Sequence, residues 1–265
     1  MGLWNESKRI VVKVGSNTLT HTTGKLNLRR IEVLAQTLAD LMNQGKEIIL
    51  VSSGAVSAGI AKSGAAERPV TLEGKQAMAA IGQSELMKLY DRYFSDYNIK
   101  VAQLLLTKDV MTDPARQKYA QSTFETLLNM GVLPIVNEND PVSDDELTRF
   151  GGNDILSAYV ACLCHADLLL NLSDVDGLYT ADPRKDPLAK LISRVDRIED
   201  VQGAAGGAGS DRGTGGMEAK LTAAQMSVKA GIPMFILNGQ DPRILHRLAD
   251  GEHVGTYFSA ARAKQ

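Results

Sequence analysis

The chain has 265 residues, with 29 basic and 31 acidic side chains and a formal net charge of -2. That length allows one or two domains, a single α/β domain being common at this size, and a core that needs no disulfide or metal staple. A near-neutral charge argues against a nucleic-acid-binding domain, and an aromatic content of 5% against a stacking platform for bases or sugars.

In chain order, Met1 to Ser7 lacks the apolar stretch of a signal peptide, and Glu6 breaks the myristoylation pattern. No apolar run reaches the ~18–20 residues of a membrane span, so the expectation is a soluble, cytoplasmic protein. Ile10-Val-Val-Lys-Val14 reads as a buried strand. Leu28 to Gln44 carries Ile31, Leu34, Leu38 and Leu41 at helical spacing, with Gly45 as the stop. Ile48 to Val51 is the next strand, followed by a small-residue turn from Ser52 to Gly59. Gly74 to Tyr97 reads as helix, Val101 to Leu106 as strand, Ala115 to Met130 as helix and Leu133 to Val136 as strand. Asp154 to Cys164 is a helix with Asn153 at its N-cap. Strand Asp167 to Leu172, helix Met217 to Ala230, strand Pro233 to Leu237 and helix Pro242 to Ala249 complete the pattern, while 147–152 and 179–200 are less regular, as hairpins or excursions. Strands apolar throughout and separated by helices predict a mostly parallel sheet covered on both faces. Cys162 and Cys164, two apart on one helix, point to different faces and have no second pair, so they are expected to be core thiols of a reducing compartment and not zinc ligands.

Ligands of open parallel sheets bind beyond the carboxyl ends of the strands. Those ends read Lys13-Val-Gly15-Ser16-Asn17, Ser52-Ser53-Gly54-Ala55, Thr107-Lys108-Asp109, Asn137-Glu138-Asn139-Asp140, Ser173-Asp174 and Asn238-Gly239. Polar strand ends are ordinary in themselves, but a lysine inside an apolar strand costs desolvation unless an anion meets it, which makes Lys13 a functional candidate. Seven of the 24 glycines lie between Gly203 and Gly216. The last of them, in Gly213-Thr214-Gly215-Gly216-Met217, lead into a helix carrying Lys220, and a glycine turn at a helix N-terminus suits an anion. The earlier ones, Gly203 to Gly209, match no motif and are expected to form a mobile lead-in. Neither a P-loop nor a Rossmann fingerprint is present. Asp154 opens a helix where the dipole favours a carboxylate, as a plain first-turn acid also would. Two lysines, a carboxylate and a glycine cradle suit phosphoryl transfer. No histidine stands at a strand end. A hydroxyl acceptor wants a base, whereas a carboxylate of pKa about 4.3 is already ionised, so an acidic acceptor and an acyl phosphate product are favoured.

Val12-Lys-Val-Gly-Ser16, Val51-Ser-Ser-Gly-Ala55, Val136-Asn-Glu-Asn-Asp140, Gly152-Asn-Asp-Ile-Leu-Ser157, the Ser173 to Arg184 segment and Gly213 to Lys220 together resemble the glutamate 5-kinases of the amino acid kinase superfamily, in order and over essentially the whole chain. The resemblance implies a three-layer αβα sandwich around a mostly parallel open sheet, as in carbamate kinase-like folds. It implies a single domain, with a glutamate-binding lobe over roughly 1–165 and a nucleotide-binding lobe over roughly 166–265. It further implies ATP-dependent phosphorylation of the γ-carboxylate of L-glutamate, the first step of proline biosynthesis, with magnesium arriving on ATP and no protein metal site. By the same resemblance Lys13 and Lys220 neutralise the transferring group and Asp154 holds them. Ser53, Gly54, Asp140 and Asn153 bind glutamate, and Lys13, Gly15, Ser16, Ser173, Asp174, Thr214, Gly215, Gly216, Met217 and Lys220 bind the nucleotide. L-proline is implied as a feedback inhibitor, glutamate-5-semialdehyde dehydrogenase as the functional partner, and a homodimer or tetramer as the assembly, with no nucleic acid or membrane partner. Two departures stand out: Gly152 replaces the acid that usually precedes the Asn-Asp pair, and the sequence stops at Gln265, about where the kinase domain of the family ends, so the form expected is the one lacking the PUA domain, an RNA-binding type of C-terminal module carried by many bacterial relatives.

Overall fold

A computed structural model of the chain describes residues 2–65, 67–143, 150–183, 185–205 and 216–260. In chain order the elements are α1 (Gly2–Glu6), β1 (Arg9–Val14), α2 (Ser16–Leu19), α3 (Leu28–Asn43), β2 (Glu47–Ser52), α4 (Ala55–Ser63), α5 (Leu72–Ser95), β3 (Val101–Leu106), α6 (Asp109–Thr112), α7 (Pro114–Asn129) and β4 (Leu133–Glu138). After a 3-10 turn at Asp140–Val142 come α8 (Asn153–Leu163), β5 (Leu168–Ser173), β6 (Arg194–Val195), a 3-10 segment at Ile198–Ala205, α9 (Met217–Lys229), β7 (Met234–Asn238), α10 (Ile244–Ala249) and β8 (Thr256–Phe258).

The strands form one eight-stranded sheet in the order β3-β4-β2-β1-β5-β7-β8-β6. Every pairing is parallel except β7 with β8. Because side chains alternate along a strand, β1 feeds two cores. Ile10, Val12 and Val14 pack with residues of α3, α5 and α10, whereas Val11 packs with residues of α7, α8 and α9. The expected three layers follow: helices, sheet, helices.

Chain order reverses at β1, with β2 on one side and β5 on the other. The three central strands therefore end side by side, and their carboxyl ends open a crevice at the switch point of the sheet.

Two local expectations are corrected, and two further segments gain definition. Most of the small-residue turn after β2 is the helix α4, made possible by its packing on α5. A Cβ added to Gly82 would lie 1.7 Å from the carbonyl oxygen of Ala55, and one added to Gly59 1.9 Å from that of Met78, so the two backbones touch where the glycines cross. The N-cap of α8 is Gly152, and Asn153 is its first helical residue. Within the irregular stretch 179–200, Tyr179 and Leu191 pair in an antiparallel bridge, as the neck of an excursion would. Finally, the two-residue β6 and three-residue β8 complete the sheet edge without any apolar run to announce them.

Candidate active site at the carboxyl edge of the sheet

Lys13 lies two residues after Val11 on β1 and so projects to the α8 side of the sheet. It is buried, and its Nζ sits 2.7 Å from Oδ1 of Asp154. Asp154 is 2% exposed in the first turn of α8, where the dipole favours an anion. Lys220, in the first turn of α9, brings its Nζ to 3.5 Å from Oδ2 of the same carboxylate. Asn171 is the β5 residue in register with Lys13, and its Nδ2 donates to Asp154 Oδ1 at 2.5 Å. Three elements thus converge on one carboxylate that carries two cations and a neutral donor.

Burial and charge set the protonation of this group. Burial pushes Lys13 below the usual lysine range, with the Asp154 charge opposing and the Lys220 charge adding to the drop. Burial alone would raise the Asp154 carboxyl, but Lys13 and Lys220 outweigh it and hold it below the usual carboxylate range. Asp154 is consequently an anion at neutral pH, and from 2.7 Å its charge favours the ammonium form of Lys13 against the pull of burial.

A cavity of about 60 Å³ lies against this cluster. Of the residues expected in the site, Lys13, Gly15, Ser16, Ser53, Asn153, Asp154, Ser173, Asp174 and Lys220 line it. Gly54 caps α4 at the end of the β2 strand, Gly216 caps α9, and Met217 is the first residue of α9. Asp140 stands in the 3-10 turn after β4 and is not among the cavity-lining residues. Thr214 and Gly215 lie outside the described residues, as do the glycines from 206 to 213; of the expected mobile lead-in only Gly203 is described, in the 3-10 segment Ile198–Ala205.

Hydrogen bonds extend the site beyond the expected residues. Asn153 directs Nδ2 at the Ser52 carbonyl (3.1 Å), Ser53 Oγ (2.9 Å) and Asn137 Oδ1 (2.9 Å). Asn137 in turn donates to Gln83 Oε1 of α5 at 2.9 Å. Asn17 donates to Asp174 Oδ2 at 2.8 Å. Burial raises the Asp174 carboxyl, but this bond, its own backbone and the Lys220 charge outweigh it, so Asp174 titrates low. The sequence alone does not single out Asn17, Gln83, Asn137 or Asn171 as site residues. The signal was there for Asn171, an amide in the otherwise apolar Leu168-Leu-Leu-Asn-Leu172 that poses the same desolvation problem as Lys13.

Gly152 has a backbone reason. Its φ is 108°, in the region that side-chain-bearing residues avoid, and this sharp entry delivers Asn153 and Asp154 to the cavity. None of the four histidines lines the cavity. Cys164 is buried and its thiol pushed up to about 12 by burial, while the Cys162 thiol is raised by the same cause, so neither is a ready nucleophile. Among the described residues no cluster of metal-ligating side chains occurs, and no helix is long and apolar enough to cross a membrane.

The amino acid kinase family model matches residues 8–238. The chain is 47% identical over 263 residues to the glutamate 5-kinase of Clostridium perfringens, covering 98% of both chains, and 49% identical to that of Clostridium tetani, covering 96% of both. The glutamate 5-kinase of Carboxydothermus hydrogenoformans is 50% identical over 97% of this chain and 69% of the relative. Two solved structures share the fold: UMP kinase from Bacillus anthracis (TM-score 0.65, 19% identity, 96% of both chains) and carbamate kinase from Giardia lamblia bound to AMP-PNP (TM-score 0.66, 16% identity, 97% of this chain and 99% of that one). With a family match across most of its length and near-full-length relatives at this level of identity, the chain belongs to the amino acid kinase family and, within it, to the glutamate 5-kinases.

Proposed function

We propose that this chain transfers the γ-phosphoryl group of ATP to the γ-carboxylate of L-glutamate, giving ADP and L-glutamyl 5-phosphate, the first step of proline biosynthesis. The observation that carries this reading is the pair of buried lysines on Asp154 at the carboxyl edge of the sheet, in a chain so close to glutamate 5-kinases.

The acceptor carboxylate is ionised at neutral pH, so one of its oxygens attacks the γ-phosphorus without a general base. An O–P bond forms to that oxygen, the bond to the β,γ-bridging oxygen breaks, and its electron pair leaves on ADP. Lys13 and Lys220 place two positive charges where equatorial and leaving oxygens gather charge. Asp154 keeps the ammonium groups apart and oriented, as a positioning residue. Ser53, the amide at Gly54, Asn153 and Asp140 are assigned to glutamate, in the N-terminal lobe. Gly15, Ser16, Ser173, Asp174, Gly216 and Met217, with Thr214 and Gly215, are assigned to ATP, largely in the C-terminal lobe. An ionised Asp174 in a cavity meant for phosphates fits a cation carried in on them, so magnesium would arrive with ATP. Bound there, the ion would neutralise phosphate charge.

The acyl phosphate product hydrolyses readily, so a reductase such as glutamate-5-semialdehyde dehydrogenase is the natural consumer. L-Proline, chemically close to glutamate, is assigned to competition at the Ser53 pocket, and a homo-oligomer is the expected assembly. The deciding experiment is ADP release from magnesium-ATP with and without L-glutamate. Equal release without glutamate, or preference for aspartate, refutes the reading; a glutamate dependence unmoved by L-proline removes the feedback part alone.

A further inference from the structure

Among the described residues two buried side-chain oxygens lack a hydrogen-bond partner, Oδ1 of Asn171 and Oγ1 of Thr18. Both belong to the active-site region: Thr18 lines the cavity, and Asn171 donates to Asp154. Asn171 is the more costly case. It is fully buried in the middle of a central strand, flanked by Leu170 and Leu172, with one end of its amide satisfied and the other not. A leucine there would fit the strand and leave no unsatisfied carbonyl. An amide kept at such a cost points to the end that is bonded.

That end meets a specific need. Asp154 is pulled by Lys13 on Oδ1 at 2.7 Å and by Lys220 on Oδ2 at 3.5 Å. Lysine ammonium groups are point charges on flexible stems, and they do not define the plane of a carboxylate. A third donor fixed to a rigid strand does, and Asn171 supplies it at 2.5 Å on Oδ1. Because the amide is neutral, it orients the carboxylate without adding to the positive charge aimed at phosphate. The register between Lys13 and Asn171 ties this donor to the same strand pair that places the lysine.

We infer that Asn171 is a positioning residue for phosphoryl transfer: its amide locks the plane of the Asp154 carboxylate, and through it the spacing of the Lys13 and Lys220 ammonium groups. This rests on the phosphoryl-transfer reading above.

The test is a pair of variants. Asn171→Leu removes the donor and the unsatisfied carbonyl together, and Asn171→Ala removes the donor and leaves a void. In both, kcat for glutamate-dependent ADP release is expected to fall by about five- to tenfold, with KM for ATP and glutamate within about twofold of the parent. Melting temperatures should move apart, unchanged or raised in the leucine variant and lowered in the alanine variant. A crystal structure of either variant should show the Asp154 carboxylate turned from its present plane. If kcat stays at the parent value, or tracks the melting temperature across the two variants, Asn171 is only part of the core. An Asp154 unmoved in the variant crystals overturns the proposal equally. If instead the parent shows no glutamate-dependent release, the functional reading fails, and the orientation of Asp154 in those crystals still decides the role of Asn171.

Discussion

Asp154→Asn keeps the shape of the side chain and removes the charge that two lysines share. The ammonium groups of Lys13 and Lys220 stand 2.7 and 3.5 Å from its oxygens, and all three residues are buried. At an effective dielectric constant near 20, each contact is roughly 5–6 kcal/mol of Coulomb attraction before desolvation. Desolvation cancels much of that, and removing one partner of a buried ion pair costs about 3–5 kcal/mol. At about 2–4 °C per kcal/mol for a chain of this size, the melting temperature should drop by roughly 6–20 °C. Turnover should fall about a hundredfold or more, since two repelling ammonium groups no longer hold their places. Magnesium-ATP should restore more of the lost melting temperature in the variant than it adds to the parent, because a polyanion replaces the negative charge that Asp154 no longer supplies. The pH dependence has a definite sign. The folded-state carboxyl of Asp154 is depressed, so its stabilisation is present above the unfolded value of about 3.9 and is lost as pH falls from there through the folded value. The gap in melting temperature between parent and variant should therefore be constant from pH 7 to about 5 and close below about 4. Calorimetric melting with and without magnesium-ATP, beside the ADP-release assay, measures all of this. A variant that melts within about 2 °C of the parent and turns over normally would refute the ion-pair reasoning.

Other substitutions probe separate parts of the structure. Lys220→Ala should cut kcat about a hundredfold while calorimetric affinity for a non-hydrolysable ATP analogue changes less than tenfold; equal losses in both would make Lys220 a binding group alone. Gly82→Ala places a methyl 1.7 Å from the Ala55 carbonyl and must part α4 from α5, costing about 1–3 kcal/mol. Because α4 starts at the proposed glutamate pocket, KM for glutamate should rise more than KM for ATP, and equal rises would disconnect that helix from acceptor binding. Cys164, its thiol raised to about 12, should resist iodoacetamide at pH 8 in the folded protein and react on unfolding, as followed by mass spectrometry.

What could be read in the sequence divides along physical lines. Lys13 was legible because burying a charge is expensive, and an expensive residue in an apolar strand advertises a partner. The strand-helix alternation was legible because each of the longer elements carries its own apolar period, as α3 does with Ile31, Leu34, Leu38 and Leu41. The helix α4 was not, since Ala55-Val-Ser-Ala-Gly-Ile60 has little helical preference of its own and is held by backbone contact with α5, a segment read separately. Strands β6 and β8 were invisible for the same reason, being two and three residues long and defined by pairing alone.

The site shows the sharper version of this limit. Lys13, Asp154, Asn171 and Lys220 are spread over more than two hundred positions of sequence. Cost identifies the candidates one at a time, but which partner answers which cost depends on strand register and on the pitch of a helix entry. Lys13 meets Asn171 because β1 and β5 pair in that register, and a slip by one residue would turn Asn171 to the opposite face of the sheet. Asp154 reaches both because Gly152 bends the chain into α8 at a φ of 108°. The residues that carry charge are thus visible from composition and context, whereas the neutral amides that aim them, Asn17 on Asp174 and Asn171 on Asp154, become interpretable only when their partners are in place. An asparagine has little desolvation penalty to announce it at a strand end, and even the one inside a strand says only that some partner is required. Aiming is a property of the tertiary structure, and the rate of phosphoryl transfer depends on it as much as on the charges themselves.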